Sequence, residues 1–133
     1  MLYDGVCGLC DRLVQFTLRR DRRDRIRFAS LQGRFAATLL ERWKRDPGDL
    51  STVYVVVDAG ERSERLLAKS RAILSILEEI GGAWRLAGAL RILPPRLLDA
   101  AYDLVARNRY RIFGKYDACV VPAPEWRGKF LDP

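Results

Sequence analysis

Two cysteines separated by two residues stand near the start of the chain, in Asp4-Gly5-Val6-Cys7-Gly8-Leu9-Cys10. From Leu9 to about Arg20 the residues Leu9, Leu13, Val14, Thr17 and Leu18 recur at helical spacing, so the pair lies where a loop enters a helix. A thiol there meets the free N–H groups of the first turn and the positive end of the helix dipole. Both favour the thiolate, the nucleophilic form. A second thiol one turn further on can attack a mixed disulfide at the first and release the other sulfur. The spacing therefore predicts Cys7 as the attacking thiol and Cys10 as the resolving thiol, with the Cys7–Cys10 dithiol–disulfide as the redox group and no bound cofactor. Gly5, Val6, Gly8 and Leu9 frame the pair and are the candidate substrate contacts.

Zinc is the main rival chemistry. A structural site wants four ligands, and the chain has no histidine and only one further cysteine, Cys119. No metal site is expected. Buried, inert cysteines are the other alternative, and the loop-to-helix position, a partly exposed place, argues against it. Asp4 lies three residues before Cys7. As a general base it could take the proton of Cys10 during resolution, although its charge opposes thiolate formation. Equally, Asp4-Gly5 reads as a turn that closes the loop.

The elements that must hold this pair follow from the rest of the pattern. The 133 residues suit one domain, 1–133, with a core over 1–82 and a helical extension and tail over 83–133 packed on it. Leu2-Tyr3 ends a short strand, with Gly5 and Gly8 supplying a flexible turn. Ile26–Ala29 is a strand candidate, and a helix over Phe35–Lys44 carries Phe35, Leu39 and Trp43 on one face. Val53–Val57 is the clearest strand, β-branched and expected to be buried on both faces. A weaker strand near Arg65–Leu67 precedes a helix that Ser70 could cap, with a stripe of Ala72, Ile73, Ile76, Leu77 and Ile80 ending at Gly81-Gly82. The order β-α-β-α-β-β-α, with helices on both faces of a central sheet, defines an α/β thioredoxin-like core. Beyond it, Trp84, Ala87 and Leu90 suggest a helix broken by Pro94-Pro95. Leu97, Leu98, Ala101, Tyr102 and Val105 suggest a second, whose apolar face is expected to fold onto the core.

The 24 Lys and Arg exceed the 17 Asp and Glu, giving a net charge of +7. Much of the excess lies in Arg19–Arg25, where aspartates break the run, and it reads as a solvated helix end. Nucleic-acid binding would rest on net charge alone and is not expected. No stretch is long and apolar enough for a membrane span or a secretory signal. Three cysteines, an odd number without an export signal, disfavour a structural disulfide framework. Oligomeric state is not legible.

Asp4-x-x-Cys7-x-x-Cys10 resembles the signature of the DCC family of thiol-disulfide oxidoreductases. The resemblance continues through Phe28-Ala29-Ser30-Leu31-Gln32 and Lys69-Ser70-x-Ala72. It also covers Tyr102–Gly114, with Arg107-Asn108-Arg109-Tyr110-Arg111, and Asp117-x-Cys119. It implies a bacterial, cytoplasmic protein of thioredoxin-like fold, exchanging disulfides with a thiol- or disulfide-bearing protein or a small-molecule thiol. Arg107, Asn108 and Arg109 are expected to follow the last helix. There Arg107 or Arg109 could lower the pKa of Cys7 and Cys119 could relay as a third thiol. The alternative pairs these arginines with Asp103 or Asp117 and leaves Cys119 inert. Thioredoxins place a cis-proline before the third core strand, facing the cysteines. Leu50-Ser51-Thr52 stands there instead, with Pro47 too early, so Ser51 or Thr52 would have to supply the substrate contact. A binding module that docks its basic C-terminal helices on a protein or membrane surface is the competing function.

Overall fold

The two residues of the first strand, β1 (Leu2–Tyr3), sit in the middle of a sheet and face opposite ways. The computed structural model describes residues 1–117 and 122–131. After β1 come α1 (Gly8–Arg20), β2 (Ala29–Ser30), α2 (Arg34–Arg42), β3 (Tyr54–Val57), β4 (Arg65–Ala68) and α3 (Ser70–Ile80). A 3-10 segment, Gly82–Ile92, then leads into the long α4 (Pro95–Phe113), and a second 3-10 segment covers Pro124–Lys129. The sheet order is β2-β1-β3-β4. β1 and β2 run parallel, with Leu2 opposite Ala29. β3 is antiparallel both to β1, with Leu2 opposite Tyr54, and to β4, with Val55 opposite Leu67. This is the mixed four-stranded α/β arrangement of a thioredoxin-like fold.

The period-two alternation sorts the core into two layers. Leu2, Ala29 and Tyr54 pack with Ala36 and Leu40 of α2. Tyr3, Phe28 and Val53 pack on the other face with Val14 and Leu18 of α1 and Ala72 and Ile76 of α3. Helices therefore cover both faces, as the sequence order implies. Phe28 is fully buried and stacks on Phe130 at 5.4 Å between centroids. Burial of such a side chain contributes about 1.5–3 kcal/mol. The Phe28 backbone pairs with Lys129 and Leu131, so the tail shields the edge beside β2.

Several local expectations shift. α2 buries Ala36 and Leu40, while Phe35 is 42% exposed, so its inward face is rotated from the Phe35–Leu39–Trp43 stripe. β3 is only half-buried beyond Tyr54, rather than buried on both faces. The residue capping α3 is Lys69, at positive φ, and the Ser70 hydroxyl instead donates to Asp99 of α4. Pro94 and Pro95 begin α4 as much as they end what precedes it, since a proline in the first turn forfeits no helical hydrogen bond.

The largest departure concerns α4. It runs on to Phe113, so Arg107, Asn108 and Arg109 lie within it rather than after it. Its apolar residues Leu97, Leu104, Val105 and Ile112 are exposed rather than folded onto the core. The inward face is largely polar. Asp99 bonds Ser70, Asp103 pairs with Lys69 at 2.9 Å, and Tyr102, Arg109 and Tyr110 reach the segments around the cysteines.

Candidate active site

Cys7 is the N-cap of α1, in an extended conformation (φ −87°, ψ 124°). Its N–H donates to the Asp4 carbonyl at 3.2 Å, and its own carbonyl accepts from Asp11 N–H at 3.0 Å. This geometry aims Sγ at the open first turn, where it accepts from Cys10 N–H at 3.4 Å. The Cys7–Cys10 pair lies 3.5 Å apart, within reach of a disulfide. The hydrogen bond from the Cys10 thiol, helped by the Leu9 and Cys10 N–H groups, brings the Cys7 pKa down to about 6 against the opposing effects of burial and the Asp4 charge. Cys10 moves the other way. It is held protonated by the Cys7 sulfur it bonds, by burial and by the charges of Cys7 and Asp4. One thiol is thus poised as a thiolate and its neighbour as a proton donor.

The pair is not partly exposed, as its position suggested. Cys7 is 0% and Cys10 6% exposed. Both belong to the core cluster with Tyr3, Val14, Phe28 and Ile76, and the other end of the chain also crosses here. Gly114, at φ 84°, turns the backbone out of α4, and residues 114–116 cross the cysteine loop as an antiparallel strap with Lys115 opposite Cys7. Gly8 N–H donates to Gly114 C=O at 3.1 Å, and Tyr116 N–H donates to Val6 C=O at 2.8 Å. Gly8 has no side chain for this reason rather than for a positive φ. A Cβ there would stand 2.1 Å from the Phe113 carbonyl oxygen.

Asp4 is buried, and each of its carboxylate oxygens takes two donors. Oδ1 accepts from Val6 N–H at 3.1 Å and from the Gln32 amide at 2.7 Å. Oδ2 accepts from the Tyr110 hydroxyl and from Arg109 Nη2 at 3.4 Å. Arg109 also donates to the Leu50 carbonyl and the Tyr110 hydroxyl oxygen. Its guanidinium reaches the site through Asp4. Arg107, by contrast, turns back to the Asp103 carbonyl, and Asn108 to the Leu104 carbonyl. Gln32 completes the frame, its amide oxygen accepting from Gly5 N–H at 3.0 Å.

The segment before β3 is occupied as well. The Tyr102 hydroxyl accepts from Val53 N–H at 2.8 Å and donates to the Ser51 carbonyl at 3.1 Å. The Ser51 and Thr52 hydroxyls both bond Asp49, and Thr52 is buried. No peptide bond among the described residues is cis. Burial pushes the Tyr102 phenol up to about 12, so it stays a donor. Cys119 lies outside the described residues. Among the described residues, no three His, Cys, Asp or Glu side chains cluster as a metal site. Gln32, Tyr102 and Tyr110 were assigned no role from sequence. The signal for them is their place in the segments that carry the family resemblance.

A family model described as DCC1-like thiol-disulfide oxidoreductase matches residues 1–115. The chain belongs to that family. The DCC1-like match runs through α4 to Lys115, so the helical extension and the start of the strap fall within it. The chain is 34% identical over 131 residues to the uncharacterized protein YuxK of Bacillus subtilis, covering 98% of this chain and 92% of that protein. It is 40% identical over 120 residues to a chloroplastic DCC family protein of Arabidopsis thaliana, covering 90% of this chain and 67% of that one. No solved structure matches the chain.

Proposed function

We propose that this DCC1-like protein reduces or exchanges disulfides in a partner through Cys7 and Cys10. The Cys7 thiolate attacks one sulfur of the partner disulfide, forming a mixed disulfide and expelling the other sulfur as a thiolate. Cys10 passes its proton to a departing partner sulfur and attacks Cys7 Sγ as the thiolate, forming the Cys7–Cys10 disulfide and releasing the second partner sulfur. Two electrons pass from the pair to the partner. The observation that carries this reading is geometric: Cys7 Sγ caps the first turn of α1, accepting from Cys10 N–H at 3.4 Å, with the two cysteines 3.5 Å apart.

Asp4 has a positioning role here. Four donors saturate its carboxylate, and its charge keeps the proton on Cys10 until the mixed disulfide forms. A reducing compartment such as the cytoplasm would keep the pair as the dithiol. Trapping with Cys10→Ala tests the proposal. Partners should accumulate as mixed disulfides on Cys7 and vanish in Cys7→Ser; repeated absence of any adduct would overturn it.

The outward face of α4 favours a second reading, docking on an anionic membrane surface. Leu97, Leu104, Val105 and Ile112 are exposed, flanked by exposed Arg96, Arg107 and Arg111. No helix among the described residues is long and apolar enough to cross a membrane. On this reading the protein co-sediments with phosphatidylserine vesicles and loses them when the three arginines are neutralised. Equal recovery with neutral vesicles would dismiss it.

A further inference from the structure

The strap over the cysteine loop has the geometry of a bound peptide. Cys7 and Lys115 are opposite each other in an antiparallel bridge. The hydrogen bonds flank the pair, from Gly8 N–H to Gly114 C=O and from Tyr116 N–H to Val6 C=O, and do not join Cys7 to Lys115. That is the non-hydrogen-bonded position of an antiparallel ladder, where facing Cα atoms lie about 4.5 Å apart. Disulfides span Cα separations of about 4.4–6.8 Å. A cysteine at the Lys115 position would therefore stand at bonding range from Cys7.

We infer that residues 114–116 occupy a peptide-binding site along Val6–Gly8, and that the substrate is an extended polypeptide whose disulfide-bonded cysteine takes the place of Lys115. The inference rests on the reading of Cys7 as the attacking thiol. The substrate residue before that cysteine offers its carbonyl to Gly8 N–H, and the residue after it donates its N–H to the Val6 carbonyl. The strap must leave first, since it uses the same two groups. Lys115 and Tyr116 are exposed and Gly114 has no side chain, so the side-chain contact that opposes this is that of the Lys115 ammonium over the Tyr110 ring at 5.2 Å. The backbone at Ser51 and Val53, where thioredoxin-like proteins hold substrate, is already held by Tyr102. Once the peptide is paired, the Cys7 thiolate attacks the facing sulfur, the peptide disulfide breaks, and its distal sulfur departs as a thiolate.

The test uses the full chain with Cys10→Ala and Cys119→Ser, leaving Cys7 as its one thiol. It is mixed with a seven-residue peptide whose central cysteine is disulfide-bonded to thionitrobenzoate. A second peptide is N-methylated on the residue after the cysteine, and the small disulfide of thionitrobenzoate alone is the third probe. Loss of one backbone hydrogen bond is expected to slow the methylated peptide about three- to tenfold. The small disulfide gives the rate without pairing. Adding Tyr116→Pro removes the strap's donor to Val6 and is expected to speed the unmethylated peptide by a similar factor, with the methylation effect intact. The methylation ratio on the unaltered strap is a sufficient test if the proline variant does not fold. Equal rates for the two peptides would overturn the pairing while leaving Cys7 chemistry standing. A Cys7 inert to all three probes would overturn the oxidoreductase reading and this inference with it.

Discussion

Asp4 and Arg109 meet at 3.4 Å although 105 positions separate them in the chain, and both are largely buried. The contact ties the start of the cysteine loop to the C-terminal part of α4. Together with the Tyr110 hydroxyl on the same carboxylate, it makes the C-terminal helix part of the active-site frame. Breaking such a buried pair from one side leaves a charge without a partner. Arg109→Ala is expected to cost about 3–5 kcal/mol in chemical denaturation. A loss under 1 kcal/mol would mean that Val6 N–H, Gln32 and Tyr110 suffice to hold the Asp4 charge.

The thiol pair gives a pH prediction with a definite sign. Folding depresses the Cys7 pKa from its ordinary value of 9.0 to about 6. The stability this contributes is present above the unfolded value and lost as pH falls through about 6. Reduced protein should therefore gain stability over Cys7→Ser as pH climbs from about 6 toward 9. The iodoacetamide reaction of Cys7 should titrate near 6, and in Cys10→Ala the midpoint should rise, since the Cys10 thiol is the largest lowering influence. An unmoved midpoint would assign the depression to the helix start alone.

Much of this was legible because it is local. The cysteine spacing, the helical recurrence after it and the β-branched run at Val53–Val57 each report on a few neighbouring residues, and together they order the core. α4 was harder to read. Apart from buried Ala106, its inward residues Tyr102, Arg109 and Tyr110 carry polar groups while its outward Leu97, Leu104 and Ile112 are apolar, against the rule that sets an amphipathic helix on a core. The strap left no apolar pattern at all, because it holds the loop through backbone groups. Gly8 and Gly114 are its trace in the sequence, and the close approach they permit appears only in three dimensions.

Gly8→Ala probes that approach. The added methyl would stand 2.1 Å from the Phe113 carbonyl, so the end of α4 must shift. A stability loss of about 1–3 kcal/mol is expected, with faster Cys7 alkylation as the strap loosens. Unchanged alkylation would show that the strap does not limit access.

Tyr102→Phe removes one hydroxyl that serves two backbone groups, Val53 N–H and Ser51 C=O. The expected cost is about 1–3 kcal/mol, with amide exchange at Val53 accelerated. Exchange as slow as in the unaltered protein would show that another acceptor takes the Val53 N–H.

The most direct measurement is to map the sulfurs by mass after reduced protein carrying Cys119→Ser is held in glutathione buffers of graded potential. A reversible Cys7–Cys10 disulfide is expected, with glutathione retained on Cys7 when Cys10→Ala is added. A dithiol that never closes, or glutathione retained on Cys10 in Cys7→Ala but not on Cys7 in Cys10→Ala, would contradict the assignment of attacking and resolving thiols.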